Sequence, residues 1–296
     1  MSEDASRIEE LEKRVEKIQK SRGSYRHLLD FFKKLFSSQV KTSPHVTLDE
    51  DDLRADLVER KLREGFPILP KETIRVDLDS AQELFQTLSR ITKEENRYLG
   101  EEFERIESAF QDKKLILREL LESFGKEGKT LDAESGLPLL TLLLRYSVQP
   151  SLKAISSFVE SHVDLGSWEK GYCPVCGSPP YLSVLRGEGG ERSFFCCHCG
   201  HEWKARRLFC PFCETVSPEK LRYLYAETES EYRIDLCDNC KRYIKTVDAR
   251  KLEGPVIPDL EFISTLHLDI LAEEEGFEGT NPIPDLFPPP SRKAEK

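Results

Sequence analysis

The chain has 296 residues, enough for two domains with their own cores. Only 38% of residues are hydrophobic against 33% charged, which suits a helix-rich protein with much surface. A net charge of -10 argues against a general nucleic-acid binder, whose affinity rests on basic residues facing phosphates.

Residues 1–24 read as one charged amphipathic helix. Ile8, Leu11, Val15 and Ile18 follow three-four spacing, and Ser6 with Glu9 fits a capping box. Two heptads are too few for an autonomous coiled coil, so docking on the chain's own body is favoured over a free coiled-coil arm. Met1 to Arg14 is acidic and lacks the apolar stretch of a signal peptide. The longest apolar stretch, Leu137 to Leu144, is too short to span a bilayer. The expectation is a cytoplasmic protein with no stable membrane insertion. In that reducing compartment, paired cysteines are metal ligands or redox groups rather than structural disulfides.

Residues 25–167 are expected to form an α-helical domain. Leu53, Leu57 and Leu62 mark a helix that ends at Gly65, followed by the Pro67–Pro70 turn. Asp79 or Ser80 is the expected cap of the next helix, which places Ala81, Leu84, Phe85, Leu88 and Ile91 on one face. A third helix is predicted from Gly100 to Phe124, with Phe103, Ile106 and Phe110 inward and Gly125 and Gly128 at its end. A fourth, from Leu137, is apolar nearly all round and belongs at the bundle centre. Pro150 is expected to break or kink it, with a further helix through Phe158.

The character changes near Trp168. Short extended runs at Tyr181–Leu185, Leu221–Tyr225 and Tyr232–Leu236 replace the helical pattern, and Gly187, Gly189 and Gly190 mark a hairpin tip. Four Cys-x-x-Cys pairs lie here: Cys173/Cys176, Cys196/Cys199, Cys210/Cys213 and Cys237/Cys240. Two residues between two thiols let both sulfurs face one ion from one tight turn, and two such turns supply a tetrahedral site. The pairs are separated by 19 residues between Cys176 and Cys196 and by 23 between Cys213 and Cys237, each the length of a β-hairpin between two knuckles. Cys173, Cys176, Cys196 and Cys199 are therefore grouped in one site, and Cys210, Cys213, Cys237 and Cys240 in a second. Cross-bracing of first with third and second with fourth is the less favoured pairing. Cys197 is left as a spare thiol. His198 and His201 are read as ordinary surface histidines rather than groups that support the site. Four thiolates suit zinc and equally a single rubredoxin-type iron.

The domains follow: 168–208 as a first metal ribbon, 209–252 as a second, 253–277 as a C-terminal helix ending near Gly276, and 278–296 as a loose proline-rich tail. The expected fold class is α+β, an N-terminal α-helical bundle followed by two tandem zinc-ribbon or rubredoxin-like β modules and a C-terminal helix. Tyr181, Phe194, Phe195, Trp203, Phe209 and Tyr223 are read as filling the small ribbon cores, not as a stacking surface for bases. Acidic and basic residues nearly balance between 171 and 250, and eight thiolates around two divalent ions add about -4, so phosphate binding is disfavoured. The cluster Lys204, Arg206, Arg207 remains able to meet an acidic patch on a partner protein. The sequence holds no phosphate-cradling glycine loop, no Gly-x-Ser-x-Gly elbow and no His-Glu-x-x-His helix, so a non-enzyme is the economical reading.

Residues 168–276 resemble the FdhE family, accessory proteins for formate dehydrogenase. The matching pieces are Cys-Pro-Val-Cys-Gly-Ser-Pro-Pro at 173–180, the knuckle Cys196–Cys199 followed by Trp203 and Arg207, Cys210–Glu214, Cys237–Cys240 followed by Tyr243-Ile-Lys, and Glu274-Glu-Gly-Phe277. Gln149-Pro150-Ser151-Leu152 in the helical half is similar as well. The resemblance implies a cytoplasmic maturation chaperone. It would bind the catalytic subunit of a molybdenum- or tungsten-dependent formate dehydrogenase before that enzyme is complete. It also implies two iron ions in rubredoxin-like sites at the eight paired cysteines, iron being favoured over zinc. A homodimer is compatible with it. The alternatives are a rubredoxin-like iron electron-transfer protein, a thiol-disulfide oxidoreductase and a nucleic-acid-binding zinc ribbon. The last two are disfavoured by metal-bound thiolates and by the acidic balance.

Overall fold

The structure is a computed structural model that describes residues 3–48, 50–95, 100–127, 137–225 and 229–282. It is α+β. Among the described residues, seven α-helices come first: α1 (Glu3–Ser21), α2 (Arg26–Val40), α3 (Ala55–Glu64), α4 (Leu78–Glu95), α5 (Gly100–Gln111), α6 (Leu117–Glu127) and α7 (Pro138–His162). Six strands follow, β1 (Pro180–Arg186), β2 (Glu191–Cys196), β3 (Glu202–Ala205), β4 (Leu221–Tyr225), β5 (Tyr232–Cys237) and β6 (Arg242–Asp248), then two short helices, α8 (Pro258–Ile263) and α9 (Leu266–Glu274). No described helix is long and apolar enough to cross a membrane.

Helix α7 lies at the bundle centre, as its all-round apolar pattern requires: Leu139, Leu140, Leu142, Leu143 and Leu144 are all buried. Pro150 does not break it; the helix runs 25 residues without interruption. A proline removes one helical N–H and leaves the carbonyl four residues earlier without its donor. Here that carbonyl, of Tyr146, accepts from the Gln39 side-chain amide of α2 at 2.7 Å. Helix α1 is docked, with Leu11, Val15 and Ile18 buried. Its Arg14 makes a bidentate pair with Glu261 of α8 at 2.7 and 2.8 Å and also donates to the Tyr232 hydroxyl of β5. Helix α1, strand β5 and helix α8 are thus tied together.

Other boundaries differ from the sequence reading. Ser6 falls inside α1 rather than capping it. The cap of α4 is Asp77, whose carboxylate accepts from the N–H groups of Asp79 and Ser80. The single helix predicted over 100–124 is two, because Lys113 adopts a left-handed conformation (φ 55°) and closes α5 with N–H bonds from Lys113 to Phe110 and from Lys114 to Ala109. Gly65 ends α3 in the same way at φ 79°, as predicted. The C-terminal helix is interrupted at Ser264 and Thr265, whose hydroxyls bond back to the carbonyls of Glu261 and Phe262. Gly128 and most of the proline-rich tail lie outside the described residues.

The six strands form one sheet in the order β3-β2-β1-β6-β5-β4. All neighbours are antiparallel except β1 and β6, which pair in parallel from Leu182↔Lys245 to Leu185↔Asp248. Each half repeats the succession knuckle, strand, strand, knuckle, strand, so the two ribbons are joined edge to edge like successive units of an array. One face of the second half is covered by α9, where Asp269 accepts from Tyr243 at 2.8 Å and from the buried Lys245 at 2.6 Å. Buried side chains from the bundle, such as Phe32 and Leu140, and from the sheet, such as Phe194 and Leu236, belong to one continuous core.

Candidate metal centres

The eight paired cysteines come together in two successive groups of four, and within each group the sulfurs lie within 4.8 Å of one another. Cys173 and Cys176 sit on the turn before β1, Cys196 and Cys199 on the turn between β2 and β3. Cys210 and Cys213 precede β4, and Cys237 and Cys240 join β5 to β6. The four turns share one geometry. The N–H of the residue after the second cysteine returns to the carbonyl of the first: Gly177 to Cys173, Gly200 to Cys196, Glu214 to Cys210 and Lys241 to Cys237. Each of those four residues is left-handed, with φ between 56° and 75°. Two are glycines, which adopt it freely; Glu214 and Lys241 do so at a steric cost.

The cysteine geometry fits a bound ion. Metal–sulfur bonds of about 2.3 Å at tetrahedral angles place sulfurs about 3.8 Å apart. The closest approaches in the first group are 3.4 to 3.6 Å. Those in the second are 3.7 Å. In the first group, burial pushes the Cys173, Cys196 and Cys199 thiols up, whereas hydrogen bonds from its three neighbours hold Cys176 well below its usual value. Four such sulfurs do not ionise together without a cation among them.

The two groups differ in their surroundings. All four cysteines of the first are buried, at 0 to 2% exposure. Its knuckles are gripped by the helical half. The N–H groups of Ile68 and Leu69, in the Pro67–Pro70 turn, donate to the carbonyls of Pro174 and Val175 at 2.8 Å, and Tyr172 donates to the Gly65 carbonyl. On the other knuckle, His198 bonds the Gly125 carbonyl of α6 through Nε2 at 2.9 Å and donates its own N–H to Cys196 Sγ. In the second group Cys213 and Cys240 are only half-buried. Partial burial pushes the Cys213 thiol up, but hydrogen bonds with the Asn239 amide at 3.3 Å, the Thr215 N–H, Cys237 and Cys210 together outweigh it and bring the thiol down to about 7.

Two expectations need correction, those for the two histidines and for Tyr223. His198 and His201 are not surface residues but are 5% and 4% exposed, and His198 bonds to α6 where the first ribbon meets the helices. Burial lowers the basicity of both, His201 to about 4. Tyr223 is not core filling; it is 58% exposed, unlike Tyr181, Phe194, Phe195, Trp203 and Phe209. Cys197 lies outside both groups, and burial pushes its thiol up to about 12. The sequence reading gave no sign of the Ile68–Leu69 clamp or of Asn239. The first depends on a contact across about a hundred residues, whereas Asn239 could have been suspected from its place inside a knuckle.

A helical bundle fused to two tandem four-cysteine ribbons in one sheet defines a class of two-centre α+β proteins. Within it, the family model described as FdhE, central domain, matches residues 172–207, the first ribbon. The chain is 30% identical to a protein FdhE homolog of Aquifex aeolicus over 255 residues, 85% of this chain and 83% of that one. It is 35% identical to a protein FdhE homolog of Edwardsiella ictaluri over 123 residues, 40% of this chain and 39% of that one. The crystal structure of the FdhE protein from Pseudomonas aeruginosa superposes with a TM-score of 0.66 at 20% identity, covering 94% of this chain and 96% of that one. The chain belongs to the FdhE family.

Proposed function

We propose that this protein is a cytoplasmic accessory factor for formate dehydrogenase that holds the immature catalytic subunit of that enzyme. Each four-cysteine group would take one ion, Cys173, Cys176, Cys196 and Cys199 the first and Cys210, Cys213, Cys237 and Cys240 the second. Iron is favoured over zinc on the family resemblance. The observation that carries the reading is that each group supplies four sulfurs to one point. A site whose four positions are all protein sulfur keeps none for substrate or water, which speaks for a non-enzyme. The ion would supply cross-linking of the knuckles and, as iron, a one-electron couple. The residues do the rest: the Ile68–Leu69 clamp and His198 fix the first ribbon to the bundle, and the β1–β6 pairing fixes the second ribbon to the first.

The test is an anaerobic affinity pull-down of the tagged chain from cells making formate dehydrogenase, with identification of what is retained. Recovery of the catalytic subunit is the expected result. Recovery of none, together with unchanged formate dehydrogenase activity on deletion, would sink the reading. A second reading, a rubredoxin-like electron carrier, is favoured by one observation: Cys213 and Cys240 reach the surface. It requires iron at the second site and a reversible colour change on reduction. Zinc in both sites of anaerobically prepared protein would eliminate it.

A further inference from the structure

The two ribbons are repeats, but among the described residues only the first is covered on the sheet face away from α9. There, the Trp203 indole donates to the Lys170 carbonyl, Phe194 packs against Phe209 with ring centroids 6.5 Å apart, and Arg192 donates to the Phe209 carbonyl. The covering segments are 168–172 and the link into the second ribbon. Among the described residues, the same face of the second ribbon has no such cover. It carries a groove of about 320 Å³ floored by Phe212, Leu221 and Ile244 and flanked by Leu208, Tyr223 and Tyr225. Those three flanking side chains are 47 to 59% exposed. In an array of stacked units the terminal unit keeps a face that a further unit would have covered.

The groove is also lined by arginines in a chain of net charge -10. Six arginines line it against the single carboxylate Asp235. Arg192 and Arg233 share Asp235, Arg222 faces Asp238 and Glu275, and Arg250 faces Asp248. Arg207 and Arg242 meet no carboxylate among the described residues: Arg207 donates to the Gly189 carbonyl, while Arg242 donates to Thr280 and lies over the Phe212 ring at 3.8 Å. Finally, β4 ends the sheet. The Asp238 N–H to Lys220 carbonyl bond fixes the phase of the β4–β5 ladder. Alternation then turns the N–H and C=O groups of Leu221, Tyr223 and Tyr225 toward the open edge.

We propose that the second ribbon's groove and the free edge of β4 are where the client binds. The occupant is an extended segment of the formate dehydrogenase catalytic subunit whose every second residue faces the groove, and these groove-facing residues include both Asp or Glu and apolar side chains. It adds as a seventh strand beside β4, its carboxylates meet Arg207 and Arg242, and its apolar side chains meet Tyr223, Tyr225 and Leu208. This assignment rests on the accessory-factor reading above.

Two arms test it. In the first, the tagged chain and its variants are challenged with the catalytic subunit. Arg207→Glu with Arg242→Glu, and separately Tyr223→Ser with Tyr225→Ser, should retain about tenfold less subunit while keeping wild-type metal content and melting temperature. Ile116→Ser, which removes an exposed side chain from the helical half, should retain as much as wild type. Hydrogen exchange at Leu221, Tyr223 and Tyr225 should slow in the wild-type complex, a readout that needs no variant to fold. Equal retention by the groove variants, loss on Ile116→Ser, or unchanged exchange in a complex that forms would overturn the proposal. In the second arm, a short labelled peptide whose every second residue is in turn glutamate and valine, with threonine between, should bind wild type, weaken with salt and fail to bind the Arg207→Glu, Arg242→Glu variant. If wild type retains no catalytic subunit but binds this peptide at the groove, the accessory-factor reading falls and the groove stands. If the peptide does not bind, or binds the variant equally, the groove falls whatever the first arm shows.

Discussion

The Gln39 amide donates to the Tyr146 carbonyl at 2.7 Å, the one carbonyl of α7 that Pro150 deprives of its helical donor. The same nitrogen reaches Gln149 Oε1 at 2.9 Å. A proline at the centre of a bundle is thereby accommodated by a neighbouring helix rather than by water. Gln39→Ala should cost about 1–3 kcal/mol, because it leaves a buried carbonyl unpaired. In a Pro150→Ala background the residue at 150 regains its N–H, and the cost of Gln39→Ala should shrink. Equal costs in both backgrounds, measured by denaturant melts, would show that the pairing with Pro150 is incidental.

Arg14 and Glu261 lie 247 residues apart in sequence and are almost fully enclosed. Removing one partner leaves the other charged and buried. Arg14→Met should therefore lose about 3–5 kcal/mol. Arg14→Met with Glu261→Gln should recover part of that loss. An Arg14→Met variant as stable as wild type would mean that α1 does not dock where it is placed here.

The cysteine grouping was legible because it is local: a Cys-x-x-Cys turn fixes two ligands, and the intervening length fixes the hairpin. Helix faces were legible for the same reason, since Leu84, Phe85 and Leu88 declare their side of α4 by spacing alone. The union of the two ribbons was not, because the parallel β1–β6 pairing joins segments about sixty residues apart and leaves no periodic trace. Nor was the α5–α6 break, since a lysine rather than a glycine takes the left-handed position. The burial of His198 and the exposure of Tyr223 depend on what the helical half covers, which neither residue's own neighbours in sequence report.

Asp77 caps α4 and accepts from the N–H groups of His45, Asp79 and Ser80. Partial burial pushes its carboxyl up, but those bonds and the Ser80 hydroxyl outweigh it and hold it below the usual range. A carboxyl depressed on folding stabilises the fold above its unfolded value of about 3.9 and loses that contribution as pH falls through the folded value. Asp77→Ala should cost about 1 kcal/mol at neutral pH, and wild type and variant should converge as pH falls below about 3.9. A gap in stability that persists to low pH would assign the cost to packing instead.

The four knuckles make an internal experiment on backbone strain. Lys241 at φ 56° and Glu214 at φ 58° occupy the position that Gly177 and Gly200 occupy in the first ribbon. Lys241→Gly should stabilise by about 0.5–1 kcal/mol by relieving the left-handed penalty. Gly177→Ala should destabilise by about 1–2 kcal/mol, since the new methyl must accept φ 75° and a contact with Pro67 at 3.2 Å. Thermal melts of the metal-loaded protein measure both. A destabilising Lys241→Gly would show that the lysine side chain contributes more than its backbone costs.

Metal removal should separate the two centres. A chelator reaches an ion only where ligands can exchange one at a time, and the first site is enclosed on every cysteine while Cys213 and Cys240 of the second are half-buried. With the fully loaded protein and excess chelator, one equivalent should leave quickly from the second site and one slowly from the first. Cys213→Ser should abolish the fast phase and Cys173→Ser the slow one. Because ion binding contributes on the order of 10 kcal/mol to such small domains, the Cys173→Ser protein should also melt earlier. Cys197→Ser, outside both groups, should keep both equivalents. Release of both ions in a single phase would remove the distinction, and a lost equivalent in Cys197→Ser would place that sulfur on the first ion. Retention of the slow phase by Cys173→Ser would overturn the ligand set itself, since the remaining sulfurs of that group would then be holding the ion without it.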